Sequence, residues 1–340
     1  MPARVLILNP ISNDCPGTGE ARMITLYAGK STRASTHNAM RRYCQEVHGR
    51  SPIEVQSQAH PEPQASSSSP GRVRALAVVR RMRGRSHPWL LWCDDGCYYV
   101  VKFQNNPQHP RILANEMLAS RLAQMIGLPV PAPAVVVIPP ELVEGEPALE
   151  FNSGNRSERC VAGLHFGSRF PGPPEQTIVV DFLPDMLLRR VDNLVPLFVG
   201  GFVFDKWTCN CDGRQVVFFR HKDGTAYAYS GLLIDQGFCF NGGQWNFPDS
   251  PIRSLYPRRA VYDSVTGLQS FEPFLSRIRS LDLPNIEGCL ADIPSEWCLP
   301  DPQGLHALVK RLYTRRGRLA DLVIDAAASL RPFRNWSQSS

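Results

Sequence analysis

The sequence predicts an α+β fold in which a β-rich front lobe is followed by a mainly helical rear lobe. Three features carry this expectation. Residues 89–93 and 97–103 are β-rich runs joined by Asp94-Asp95-Gly96, residues that tolerate the positive φ of a tight hairpin. Residues 111–126 read as a helix that stops at Gly127-Leu128-Pro129. The second half carries two further apolar helical stretches, 194–207 and 303–329.

In chain order, residues 1–50 form a basic leader with a strand-like run at 4–8 and a weak helical stretch at 36–47. Residues 51–70 are rich in Ser, Pro and Gln; they bury too little apolar surface to offset their ordering entropy and read as a linker. Gly29-Lys30-Ser31 fails as a phosphate loop, because Ile24 stands where that motif needs its first glycine. The front lobe is expected over 71–143. It contains a strand at 73–82, a turn at Arg83-Gly84-Arg85-Ser86-His87-Pro88, the hairpin and the helix, on which Glu116 shares a stripe with Ile112, Ala119 and Ala123. A strand within 133–143 follows, its Val135-Val136-Val137-Ile138 run marking it as buried.

The rear lobe is expected over 144–340. A polar loop at 144–159 leads to the helix at 194–207, with Asp192 or Asn193 as its cap and Pro196 in its first turn. A second hairpin pairs 215–220 with 226–235 through Lys222-Asp223-Gly224. The tail helix at 303–329 offers Leu305, Leu308, Leu312, Leu319, Leu322 and Val323 as a core face.

With 43% apolar and 20% charged residues, the composition excludes a wholly disordered or fibrous chain. The net charge of +6 is unevenly placed: residues 1–86 hold 13 Lys and Arg against 5 Asp and Glu, and residues 87–340 carry a net −2. Arg80, Arg81, Arg83 and Arg85 could contact nucleotide phosphates or form a solvated run. A nucleic-acid role is not expected, since no binding motif accompanies the charge. Among ten cysteines only Cys93/Cys97 and Cys209/Cys211 are close, and neither pair has zinc-ribbon spacing, so scattered thiols in a reducing cytosol are expected. No apolar run is long enough to span a bilayer and the N-terminus lacks a signal-peptide core, which makes the cytoplasm the expected compartment.

Phosphoryl transfer needs positive charge on the phosphates, a carboxylate that holds a metal, and a group that orients the accepting hydroxyl. The chain offers one candidate for each, in order. Lys102 ends a hairpin strand, and Glu116 faces apolar neighbours fourteen positions later. A carboxylate so placed needs a partner, because an isolated buried charge is costly; Lys102 is the natural one, either as a phosphate-binding pair or as a structural salt bridge. Asp212 follows an apolar helix and could orient a nucleophile, or it could simply make the turn before Gly213. Asp235 ends an apolar strand before Gln236-Gly237 and could ligate Mg²⁺ or terminate the strand. His165 is expected as a packed side chain rather than a base or ligand, and Trp207, Trp245 and Trp297 as core.

These residues fall in a familiar order. The segments Gly84-Arg85-Ser86-His87-Pro88, Asp94-Asp95-Gly96-x-Tyr98-Tyr99-Val100-Val101-Lys102-Phe103, Asn115-Glu116 and Gly127-Leu128-Pro129-Val130-Pro131 come first. Gly163-Leu164-His165-Phe166-Gly167-Ser168, Phe204-Asp205-Lys206-Trp207-Thr208-x-Asn210-x-Asp212-Gly213-Arg214-Gln215 and Ile234-Asp235-x-Gly237 complete the series. Together, over about 72–330, they resemble the HipA-like kinase domain family.

The resemblance implies a bilobed protein-kinase-like fold, ATP with Mg²⁺, and a Ser or Thr hydroxyl of a protein substrate as acceptor. By the same resemblance Lys102 looks like the phosphate-binding lysine, Glu116 its helix partner, Asp212 the catalytic-loop aspartate and Asp235 the metal-binding aspartate. The sequence departs from the pattern twice. Val217 stands where kinases place a metal-binding Asn, so Gln215 or Asn210 is the candidate substitute. The phosphate-covering loop has only Gly84, leaving Arg83, Arg85 and Ser86 to supplement its donors. Val217 also keeps open a nucleotide-binding pseudokinase acting as an interaction module. A lipid kinase of related fold ranks below both, for want of a basic amphipathic membrane helix.

Overall fold

A computed structural model of the chain describes residues 72–337, apart from 154–155, 224, 252 and 300. The expected leader, the linker and the Gly224 turn position lie outside the described residues. The described chain is of mixed α and β content.

Strands β1 (Arg72–Arg81), β2 (Trp89–Cys93) and β3 (Tyr98–Lys102) form an antiparallel meander. Gly96, at φ 74°, turns the β2–β3 hairpin as its Asp-Asp-Gly sequence requires. Helix α1 (Ile112–Met125) ends where Gly127 takes φ 75° and the Leu128 N–H returns 2.9 Å to the Ala123 carbonyl.

Strand β4 (Pro133–Ile138) is shorter than the expected 133–143 run. Pro139 and Pro140 divert the chain into the short helix α2 (Pro140–Gly145), proline suiting a first helical turn and not a ladder. The segment expected as a polar loop forms the hairpin β5 (Glu150–Ser153) and β6 (Arg156–Arg159). Its apolar residues Leu149, Phe151 and Cys160 pack into the interior formed by Val73, Leu91, Val101 and Val136.

Strand β7 (Gly163–Arg169) pairs antiparallel with both β3 and β4, and β4 lies parallel to β1, closing the barrel β1-β2-β3-β7-β4. The expected boundary between 143 and 144 therefore falls inside one structural unit. Helix α1 packs on the outside of β4 and β7 and is buried along almost its whole length, because residues that follow β7 in the chain cover its other side.

After β8 (Val179–Val180) and α3 (Asp185–Leu188), the expected helix at 194–207 begins as a π turn over Pro196–Gly200 and becomes regular in α4 (Gly201–Thr208). Neither Asp192 nor Asn193 caps it: Asn193 instead clasps the backbone of Gly231, donating to its carbonyl and accepting from its N–H, both at 2.8 Å. α4 is buried throughout, its Asp205 and Lys206 included, with Asp205 paired to Arg214 and Lys206 donating to the carbonyls of Ser250 and Pro251.

Strands β9 (Gln215–Asp223) and β10 (Ala226–Ile234) form the second hairpin. Then come α5 (Phe274–Ser280), α6 (Leu283–Gly288), α7 (Pro302–Arg315) and α8 (Leu319–Leu330). The last two replace the single expected tail helix. They are separated by a 3-10 turn at Arg316–Arg318, where Arg316 donates to the carbonyls of Tyr313, Arg279 and Leu281. The expected leucines still face the core. Among the described residues no helix is long and apolar enough to cross a membrane.

Candidate active site

The site lies where the barrel, α1 and the end of β10 meet. Lys102 closes β3 opposite Phe166 of β7, and its ammonium points at α1, forming an ion pair with the buried Glu116. The same ammonium donates to Asp235 Oδ1 at 2.6 Å, joining residues 133 positions apart. Glu116 places its other oxygen 2.9 Å from the Gln236 backbone N–H, so one carboxylate ties β3 to the chain leaving β10.

Asp235 sits at φ 61°, a left-handed conformation that aspartate tolerates better than most side chains. That reversal ends the strand and brings the Gln236 N–H to Glu116. Gly237 follows because a Cβ there would stand 2.6 Å from Ile112 of α1 and 3.1 Å from the Glu116 carboxylate.

Burial by itself lowers the basicity of Lys102, but Glu116 and Asp235 outweigh it and hold the ammonium above its ordinary range. Burial likewise works against Asp235, and there Lys102 prevails and holds the carboxyl low. At Glu116 burial is the stronger influence and raises the carboxyl. Two carboxylates face one ammonium, so the fully ionised cluster carries a net negative charge and suits a cation.

Gln215, the first residue of β9, donates from Nε2 to Asp235 Oδ2 at 2.7 Å. Val217, two positions on, lies in the ladder opposite Leu232 and is half-buried. The side-chain amide nearest Asp235 is thus supplied from the strand start rather than from the position kinases use. Asn210 does not compete for that place: it is buried, donates to Asp205 at 3.1 Å and accepts the Asp212 N–H at 3.2 Å.

Asp212 is exposed, and its Oδ1 accepts the Gly213 N–H at 2.8 Å, which is the turn-forming contact. Among the described residues, no hydrogen bond or ion pair joins Asp212, Arg85 or Ser86 to the Lys102 cluster. Arg85 is exposed and Ser86 buried in the β1–β2 turn, where Gly84 takes φ 140° and His87 φ 47°.

Residues without an assigned role in the sequence reading hold these pieces together. Asp205, wholly buried in α4, forms a two-armed ion pair with Arg214. Arg214 also donates to the Ile234 carbonyl at 3.2 Å and to Gln236 Oε1 at 2.8 Å. The loop carrying Asp212 is thereby tied to the residues on either side of Asp235. A carboxylate directly after the apolar run Phe202-Val203-Phe204, within one helix, was the available signal, since such a group demands a cation. Asn115 lies within hydrogen-bond distance of the carbonyls of Gly237, Cys239 and Gly242 and accepts the Trp245 indole N–H at 2.7 Å.

His165 is fully buried, its Nδ1 accepting from the Gln104 N–H at 2.9 Å and its Nε2 3.0 Å from the Val161 carbonyl, as a packed neutral ring. Trp207, Trp245 and Trp297 are buried as expected.

Residues 76–217 match the model of the HipA-like kinase family, a span just under half of the chain that includes Lys102, Glu116, Asp212 and Gln215. The match bears out the family resemblance over that span and supports phosphotransfer of the kinase type. Among solved structures, the Helicobacter pylori proinflammatory kinase CtkA is similar at TM-score 0.44 and 16% identity, over 75% of this chain and 97% of that one. The Golgi casein kinase is similar at TM-score 0.47 and 12% identity, over 80% and 76%. Its form with Mn/ADP bound gives 0.45 and 13%, over 77% and 74%. No curated protein matches the chain.

Proposed function

We propose that the chain is an ATP- and Mg²⁺-dependent kinase of two-lobed, protein-kinase-like build that phosphorylates a Ser or Thr hydroxyl of a protein. The observation that carries this reading is the buried Lys102, held between Glu116 and Asp235 at the junction of the barrel and the helical part. Structural ion pairs also bury lysines, but a purely structural one has no need of a second carboxylate on a strained turn. The eight described cysteines carry free thiols, in keeping with a reducing compartment such as the cytoplasm.

In this reading Lys102 binds the nucleotide phosphates and Glu116 holds it in place. Asp235 and Gln215 present a carboxylate and an amide beside each other, a hard-oxygen donor set of the kind Mg²⁺ accepts when phosphates and water complete its shell. Mg²⁺ there would offset the charge of the phosphate oxygens. Asp212 orients the acceptor hydroxyl and takes its proton as the hydroxyl oxygen bonds to the γ-phosphorus and the bond to the ADP oxygen breaks. Arg85 and Ser86 cover the phosphates from the β1–β2 turn.

A second reading, a nucleotide-binding pseudokinase serving as an interaction module, draws on Val217 and on the turn contact of Asp212. One pair of variants separates the two. Asp235→Asn weakens Mg²⁺-dependent ATP binding, because a neutral amide is a poorer ligand for a hard cation. Asp212→Asn leaves ATP binding intact and lowers turnover by about 10²-fold or more. Calorimetry with and without Mg²⁺, together with radiolabelled phosphate transfer, reads both. Equal loss of binding in the two variants overturns the division of roles; ATP binding without transfer by the unaltered chain favours the pseudokinase.

A further inference from the structure

Outside the Lys102 cluster, the C-terminal half of α7 borders an open groove of about 400 Å³ lined by Phe247, Lys310, Arg311, Thr314, Arg315 and Arg318. Four of these six residues are cations, although residues 87–340 together carry a net −2. Arg311, Arg315 and Arg318, four and three positions apart, stack along one side of the helix and the turn after it, with Lys310 directly before Arg311. A run of cations on a helix is ordinarily a solvated face, yet two observations set this one apart. The groove has an aromatic wall, with the Arg315 guanidinium 5.1 Å from the centre of the Phe247 ring. Two of its cations also already receive an acidic side chain: Asp249, at the edge of the groove, pairs with both Arg315 and Arg318, the latter at 3.0 Å.

Asp249 leaves much of the positive charge unspent. Lys310 is exposed and its ammonium has no ion pair among the described residues; Arg311, also exposed, gives one N–H to the Trp245 carbonyl at 2.9 Å. The groove adjoins the proposed catalytic loop. Buried Arg315 donates to the carbonyls of Lys206 and Trp207, each at 3.0 Å, at the end of α4, four residues before the loop reaches Asp212. From the other side, the Asn241 N–H bonds the Cys209 carbonyl at 3.1 Å, anchoring the segment that runs into Phe247 and Asp249.

Resting on the kinase reading above, we propose that this groove docks a carboxylate-rich stretch of the protein substrate, with the acceptor hydroxyl a few residues away at Asp212. Charge complementarity selects the occupant, and Asp249 shows how a carboxylate is received. A single-stranded nucleic acid fits less well, because such grooves interleave several stacking aromatics with their cations, and among the described residues lining this groove Phe247 is the one aromatic.

The test uses the full chain and two labelled peptides, one Glu-rich with a single Ser and one with Gln in place of each Glu. Anisotropy reads peptide binding at low and moderate salt, and calorimetry reads ATP binding. The Glu peptide is expected to bind and the Gln peptide to bind far more weakly. Lys310→Glu lowers affinity for the Glu peptide about five- to tenfold and Lys310→Gln lowers it less. The melting temperature and ATP affinity stay unchanged, since the Lys310 ammonium has no ion-pair partner among the described residues. Equal affinity of the unaltered chain and Lys310→Glu overturns the proposal, as does displacement of the peptide by a tighter-binding single-stranded oligonucleotide. Peptide discrimination by a chain that binds no ATP removes the kinase reading and retains the basic groove as a site for acidic peptides.

Discussion

His165 and Lys102 stand on neighbouring strands of the barrel, and burial acts on them with different results. Lys102 faces two carboxylates and keeps its charge. His165 packs on the Phe103 ring and has backbone hydrogen-bond partners but no carboxylate, and burial pushes its pKa down to about 4. An unfolded histidine titrates near 6.5, so between about 6.5 and 4 the unfolded chain binds the extra proton and acid weakens the fold, by roughly 3 kcal/mol when complete. His165→Gln can accept from Gln104 and donate to Val161 without titrating. It is expected to flatten the fall in melting temperature between pH 6.5 and 4, whatever its effect at neutral pH; parallel curves for the two proteins would assign the acid sensitivity elsewhere. The packed role of His165 was legible because glycines flank it on a short apolar run, whereas nothing nearby in sequence announced the Gln104 contact.

The run from α4 through the Asp212 loop to β9 and the end of β10 behaves as one element. Asp205 and Arg214 are nine positions apart, and Arg214 reaches Gln236 twenty-two positions further on. Removing one member leaves the other as a buried unpaired charge, so Asp205→Ala is expected to cost about 3–5 kcal/mol in denaturant melts. Replacing both, as Asp205→Leu with Arg214→Met, is expected to recover much of that stability, since apolar residues of similar volume can substitute for a buried pair. Phosphate transfer stays low in the double variant, because the bonds from Arg214 to Ile234 and Gln236 are also gone. Recovery of transfer along with stability would reduce the network to a structural brace. Both residues lay within the family-like motif, but single-sequence reasoning gave roles to Glu116, Asp212 and Asp235 and passed over Asp205 in its helix.

For the molecule as a whole, closure of the barrel by β7 decides how the site is assembled. β7 passes between β3 and β4 so closely that a Cβ on Gly167 would lie 2.5 Å from a Val136 methyl and 3.3 Å from Tyr99. Gly167→Val is expected to destabilise by about 1–3 kcal/mol through overpacking. Val136→Ala makes room, so the double variant loses less than the sum of the two single losses in thermal melts; strict additivity would mean that β7 moves aside freely. This closure joins residues on both sides of position 143 in one sheet. A strand some sixty residues beyond β3 completes its ladder, and no local pattern indicates which strand pairs with which.

The sequence by itself determined the hairpins, the helix that carries Glu116, the apolar α4, and the order of Lys102, Glu116, Asp212 and Asp235. Each rests on a short-range cause: turn residues that accept positive φ, periodic apolar faces, or motifs read within a dozen positions. Only the tertiary structure decided that Lys102 is shared between Glu116 and Asp235, that Gln215 rather than Asn210 lies against Asp235, and that Arg214 ties the Asp212 loop to Gln236. It also decided that the β5–β6 hairpin fills the barrel and that the tail helix breaks at Arg316. These arrangements depend on side chains far apart in sequence meeting in a dry interior, where an unpaired charge or an empty volume is costly. Which partners meet is set by the packing of the whole chain, and spacing along one sequence does not reveal it.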